Sequence, residues 1–259
     1  MTFLGEKKMK IPKMATVLCT AFVLALPCVT RAVPVSTMDI FHDGFGANAD
    51  VQVWGGGQAG SVAYSGVYML GKTGGSGEGD IWPDGQLGSF CMELNEHAPD
   101  DTFTYDVVML EESPVPTTFL GAAIGADKAK YVRELWGRFF DPDWVGSGPF
   151  TSEQNSDAAA FAVAIWEIVY EDLPSSPLGW DVTVDGTDGD LGFYAVGADT
   201  DKANDFLHSL TGCGPKADLR AFVRCGTQDY FVQVPEPATI ALLGFFSVLS
   251  LVRKKRAAV

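Results

Sequence analysis

Histidine is scarce in this sequence, and His42, His97 and His208 are too far apart to give the paired spacing of a zinc-type metal centre. Basic residues are scarce as well. With residues 1–32 and 235–259 set aside, Lys and Arg fall from 18 to 9 while Asp and Glu fall only from 33 to 31. Residues 33–234 therefore carry a net charge of −22, against −15 for the whole chain. A body this acidic repels nucleic acid and anionic lipid. The plainest meaning of the charge is solubility outside a cell; a cationic partner is the other reading. The sequence also lacks internal repeats, low-complexity tracts and any Ser/His/Asp order suited to nucleophilic catalysis. It is not read as an enzyme, and no cofactor or metal is expected.

Three local patterns invite a chemical reading and do not sustain it. Gly66-Val67-Tyr68-Met69-Leu70-Gly71-Lys72-Thr73 matches the letters of a phosphate-binding loop. Strand formers fill its centre, and Gly74-Gly75-Ser76-Gly77 follows where a helix is needed. Asp185, Asp188 and Asp190 offer oxygens to Ca²⁺ at a spacing that fits no known calcium loop. Glu93 and Glu96 are an acid/base pair only in principle, because on one strand they would face opposite sides.

Both ends of the chain read as addresses. Lys7-Lys8-Met9-Lys10 and Lys13 precede an apolar run over 15–26 and the small-residue exit Thr30-Arg31-Ala32. That layout predicts a secretory signal peptide over 1–32. The run is shorter than the ~20 residues of a comfortable transmembrane helix. At the other end Pro235-Glu236-Pro237 holds the backbone extended, since each proline fixes its own φ and restricts its predecessor. An apolar helix is expected over 238–252, then the basic cluster Arg253, Lys254, Lys255 and Arg256, which the positive-inside rule keeps cytoplasmic. This tripartite tail over 235–259 resembles the PEP-CTERM sorting signal of Gram-negative bacteria. The resemblance implies export, transient anchoring in the inner membrane, and processing by an exosortase. Delivery would be to the cell surface or an exopolysaccharide matrix.

The body, 33–234, predicts an α+β fold: a β-sheet-rich domain with a helical segment inserted in its middle. Strands are expected at 51–54, 61–70, 88–94, 102–110, 180–184, 192–196, 221–224 and 230–234, from alternating or β-branched runs between Gly, Pro and Asp. Helices are expected at 127–140, at 156–170 with Ser156 as N-cap, and at 200–210. The second is apolar almost all round and should be buried. Cys19 and Cys28 leave with the signal peptide. Cys213 and Cys225, twelve apart and both beside glycine, suggest a disulfide, which leaves Cys91 as a buried free thiol or an intermolecular partner.

Two segments resemble the Cys–Gln thioester domains of bacterial surface adhesins. They are Phe90-Cys91-Met92 on an expected strand and Ala164-Ile165-Trp166 on the buried helix. In that family a cysteine sulfur attacks a glutamine carboxamide, releases ammonia and leaves a thioester that a host amine can open. The resemblance expects glutamine at position 162, where this chain has Ala162. Three functions follow. The first is a non-enzymatic surface or matrix protein whose crosslink has been lost. The second is an active covalent adhesin with a different electrophile, and the third a secreted hydrolase. Partners are the secretion machinery and exosortase, the membrane through 238–252, and a surface ligand or exopolysaccharide; nucleic acid is not among them.

Overall fold

The computed structural model describes residues 36–114, 122–184, 192–197 and 199–236. The expected signal peptide, the helix at 238–252, the basic tail, Pro237 and the three clustered aspartates lie outside the described residues.

The body is a β-rich α+β domain. Its frame is a long antiparallel hairpin of β1 (Thr37–Gly55) and β2 (Gln58–Ser76). Val51 and Val53 are buried while Asp50 and Gln52 are exposed, the two-residue period of a strand with one covered face. The turn is Gly56-Gly57, with φ of +56° and +83°. Two consecutive positive φ values define the tight turn that matches strand twist, and glycine adopts them without strain. The letters of the phosphate-loop pattern fall inside β2, so they form no loop.

Among the described residues five shorter strands join the sheet: β3 (Gly85–Cys91), β4 (Phe103–Met109), β5 (Phe193–Val196), β6 (Leu219–Val223) and β7 (Tyr230–Gln233). Their order is β2-β3-β7-β6-β4-β1-β5, and β1 also pairs with β2. Six strands thus close in a ring, and β5 attaches outside it to the outer end of β1.

Among the described residues three α-helices, α1 (Gly125–Phe139), α2 (Ser152–Tyr170) and α3 (Thr200–His208), enter between β4 and β6, as the sequence predicts. α2 begins four residues earlier than expected. Thr151 and Gln154 form a reciprocal capping box there, so Thr151 takes the role assigned to Ser156. From Ala158 to Tyr170 every residue of α2 is buried. The helix lies on the hairpin, where Ser65 Oγ donates to the Ala159 carbonyl at 3.0 Å and Asn48 N–H to Asn155 Oδ1 at 3.1 Å. Among the described residues no helix is long and apolar enough to cross a membrane.

One expected strand is absent. Residues 180–184 turn instead, because the Asp181 carboxylate accepts from the Thr183 N–H at 3.0 Å and from its hydroxyl at 2.7 Å. A short polar side chain that bonds the nearby backbone competes with a strand ladder.

A second departure matters more for the site. β3 starts and stops three residues before the expected 88–94, ending at Cys91. Its pairing with β2 runs only from Lys72↔Gly85 to Val67↔Phe90. Beyond Val67 the hairpin bends away. The β1–β2 register shifts between Phe45 and Asn48, and Gly66 holds φ of +142°. A Cβ at Gly66 would lie 2.3 Å from the Ala47 carbonyl oxygen, so only glycine fits this bulge.

Candidate functional site

Where β2 and β3 part, a cavity of about 430 Å³ opens. Cys91 and Gln228 stand at its inner end, and Glu93, Glu96, Tyr64 and Trp166 are among its lining.

Cys91 is the last residue of β3 and is 2% exposed. Gln228 belongs to the turn joining β6 to β7 and is also buried. Its side-chain Nε2 donates to the Cys91 sulfur and, at 3.3 Å, to the Glu93 carbonyl oxygen. The Cys91 thiol donates to that same carbonyl. A carboxamide and a thiol are therefore in contact, with the amide's carbonyl carbon one bond from the nitrogen that touches sulfur.

Backbone bonds fix this pairing from both sides. Met92 N–H donates to the Asp229 carbonyl at 3.1 Å, and Gln228 N–H to the His97 carbonyl at 3.0 Å. Asp229 N–H donates to Glu93 Oε1 at 2.9 Å, and the Asp229 carboxylate accepts from Arg224 N–H at 2.7 Å. Gln228 is thus strapped between residues 92 and 97, and its side chain has little freedom to leave the sulfur. Two groups held together in this way meet intramolecularly, without the cost of a bimolecular encounter.

The electrostatics keep the thiol protonated at rest. Burial pushes the Cys91 thiol far above its ordinary range, and the neighbouring Glu93 charge adds to this; bonds with the Glu93 backbone and Gln228, and the nearby Trp166 indole, act in the opposite sense. Trp166 is 1% exposed, and its indole N–H favours negative charge on the sulfur. Glu93 itself is pushed up to about 8 by burial and by the Asp229 charge. Asp229 is pushed up to about 7, chiefly by burial. Two carboxyls that titrate near neutrality beside a thiol and an amide are groups able to take and return a proton.

The structure redistributes the residues singled out from the sequence. Ala162 is buried on α2, one helical turn before Trp166. The carboxamide at Cys91 comes from Gln228, not from position 162. Gln154 caps α2. Glu93 and Glu96 are not on a strand: both follow the end of β3 and line the cavity together. His97 contributes its carbonyl, His42 packs among Phe45 and Tyr68, and His208 bonds the Trp180 carbonyl at 2.8 Å.

Cys213 and Cys225, expected to pair, are both free and exposed. The strand β6 lies between them in sequence. At ~3.3 Å per residue its extended backbone holds its two flanks apart, whereas a disulfide needs Cα atoms roughly 4.4–6.8 Å apart. The flank before β6 is also tied to α1, by Ala217 N–H on the Arg133 carbonyl at 3.0 Å. Pro235 and the exposed Glu236 follow directly on the last strand, whose bonding ends with Val234 N–H on the Asp218 carbonyl at 2.9 Å.

Sequence reasoning missed Gln228 because it looked for glutamine beside Ala164-Ile165-Trp166. The available signal was the position of Gln228 in the turn just before β7, the strand that pairs with Cys91 at Tyr230. No protein-family model matches the chain, and no curated protein or solved structure matches it either.

Proposed function

We propose that this chain is an exported, non-enzymatic surface protein whose body forms an internal thioester between Cys91 and Gln228 and uses it for covalent attachment. The contact between the Gln228 carboxamide and the Cys91 sulfur carries this reading. The case for a lost crosslink rested on Ala162, and Gln228 supplies the electrophile that Ala162 lacks.

In the proposed chemistry the Cys91 sulfur adds to the Gln228 side-chain carbonyl carbon as the thiol gives up its proton. The C–N bond then breaks, and the nitrogen leaves as ammonia carrying that proton. An S–C(=O) bond is left in place. A primary amine entering the cavity adds to the same carbon, forms an amide and returns Cys91 to the thiol. Glu93 relays the proton in both stages. Burial protects the thioester from water until a nucleophile enters.

Export and sorting belong to the same proposal. Residues 1–32 act as signal peptide, and the segment from Pro235 onward acts as an exosortase sorting signal that anchors transiently in the inner membrane. Release to the cell surface or an exopolysaccharide matrix follows. The exposure of Glu236, three residues beyond β7, supports access by a processing enzyme.

Incubation of the exported protein with methylamine tests the reaction. The expected product is one methylamide on Gln228, identified in its tryptic peptide, together with a newly alkylatable Cys91. Methylamine incorporation at any other glutamine, or none at all, would overturn the proposal.

A further inference from the structure

The β2 strand has a paired half and an open half. From Val67 to Lys72 it is hydrogen-bonded to β1 on one edge and β3 on the other. From Gln58 to Gly66 it is paired to β1 alone, and no strand occupies its second edge among the described residues. The cavity lies along that second edge. Ser61, Val62, Ala63 and Tyr64 all line it, although consecutive strand residues point to opposite faces. A cavity that meets both parities of a strand reaches its edge; this one also extends over part of the hairpin, to Phe45 and Val53 of β1.

Across the gap stands the segment after β3, with Leu94, Glu96 and Ala98 in the lining. Gln58 Nε2 bonds the Leu94 carbonyl at 2.6 Å and closes the outer end. The inner end is the Cys91–Gln228 contact. The Tyr64 carbonyl is turned outward, where it accepts from the Tyr68 hydroxyl at 3.3 Å. By the two-residue period the backbone groups of Val62 face outward with it. Four residues of open edge at ~3.3 Å each give a slot of roughly 13 Å, enough for a short extended segment.

We propose that the partner engages this edge as an added β-strand, an extended segment of another protein bearing a lysine that the strand pairing delivers to the Cys91–Gln228 bond. This rests on the thioester reading of the same site. Main-chain bonds to β2 would supply affinity, as in other strand-addition complexes. Charge selects the occupant. Glu96 lines the slot and the body as a whole carries a formal −22, so a cationic segment is attracted and a second copy of this chain is repelled. Val62 and Tyr64, 63% and 55% exposed, give the guest's side chains an apolar wall.

The test compares three amine probes on the exported protein at equal concentration: methylamine, N-acetyl-lysine amide, and a capped peptide of alternating valine and threonine with one central lysine. Rates of covalent adduct formation are read by intact mass. The peptide should react at least tenfold faster than N-acetyl-lysine amide. N-methylation of its alternate amides in one register should abolish that advantage, and in the other register should leave it. Val62→Pro, which removes one outward N–H without touching the β1 ladder, should slow the peptide more than it slows methylamine. A peptide no faster than N-acetyl-lysine amide, or indifferent to N-methylation in both registers, overturns strand addition while the methylamine adduct upholds the thioester. Loss of all three adducts defeats the thioester itself. Covalent dimers of the chain, or faster reaction with an amino-sugar oligomer than with the peptide, would assign the slot to another occupant.

Discussion

Cys91 and the two cysteines at 213 and 225 place the same side chain in opposite surroundings. Cys213 and Cys225 are exposed and bonded to no other sulfur. Cys91 is buried at the end of a strand, bonded to a carboxamide, and flanked by two carboxyls whose pKa values have risen toward neutrality. The pair that looks like chemistry in the sequence has none in the fold. The cysteine left over once those two are set aside as a pair is the one with a carboxamide against it. Reactivity here is a matter of what the fold brings to the sulfur, not of spacing along the chain.

The largest effect is expected from removing the electrophile. Gln228→Ala should cut methylamine incorporation at least a hundredfold, to background, whereas a Cys213→Ser, Cys225→Ser double variant should react like the parent. Equal loss in both would erase the contrast between the two settings.

Thiol accessibility gives the next largest difference. In the Gln228→Ala protein, where Cys91 is a free thiol, iodoacetamide should label Cys213 and Cys225 in the native state roughly a hundredfold faster than Cys91. Cys91 should catch up only on denaturation. Both its burial and its raised pKa lower the thiolate fraction available for alkylation.

Stability should follow pH in an unusual direction. Glu93 and Asp229 have folded pKa values of about 8 and about 7, raised from 4.5 and 3.8. Between about pH 4 and pH 8 the folded state therefore holds protons that the unfolded chain has released. Stability contributed by these groups is present at the acid end of that window and declines as pH rises through it. The loss is on the order of a few kcal/mol, or roughly 5–10 °C in Tm between pH 5 and pH 8.5. Thermal unfolding of Glu93→Gln should flatten the dependence, since that side chain cannot ionise.

A smaller effect tests the position that the resemblance first suggested. Ala162→Gln places a polar amide at a site 1% exposed. It should cost about 1–3 kcal/mol in chemical denaturation through overpacking and an unmet amide. Methylamine incorporation per folded molecule should stay at the parental level. A rise would return the electrophile's role to α2.

Much of the body was legible in the sequence because its periodicities are local. The alternation in β4, the apolar surface of α2 and the punctuation by Gly and Pro each report on a few consecutive residues. The two-strand frame was harder. β1 extends from Thr37 to Gly55, well beyond the expected 51–54, since pairing with β2 sustains residues whose own pattern is irregular. The loop at 180–184 was misread because an Asp–Thr side-chain bond outweighs the β-propensity of Val182 and Val184. The site itself was half legible. Phe90-Cys91-Met92 marked the sulfur, but its partner lies 137 residues away, a distance that the β3–β7 pairing spans. The fork that makes the cavity depends on Gly66 and a register shift, neither of which has a periodic signature.

The intact mass of the exported protein, measured under denaturing conditions without prior amine treatment, tests the central claim most directly. The account predicts a body lighter by one ammonia than its sequence requires, with Cys91 resistant to alkylation, and the full calculated mass for Gln228→Ala. A parent protein at full calculated mass, with Cys91 alkylated as readily as Cys213 and Cys225 once unfolded, would contradict it.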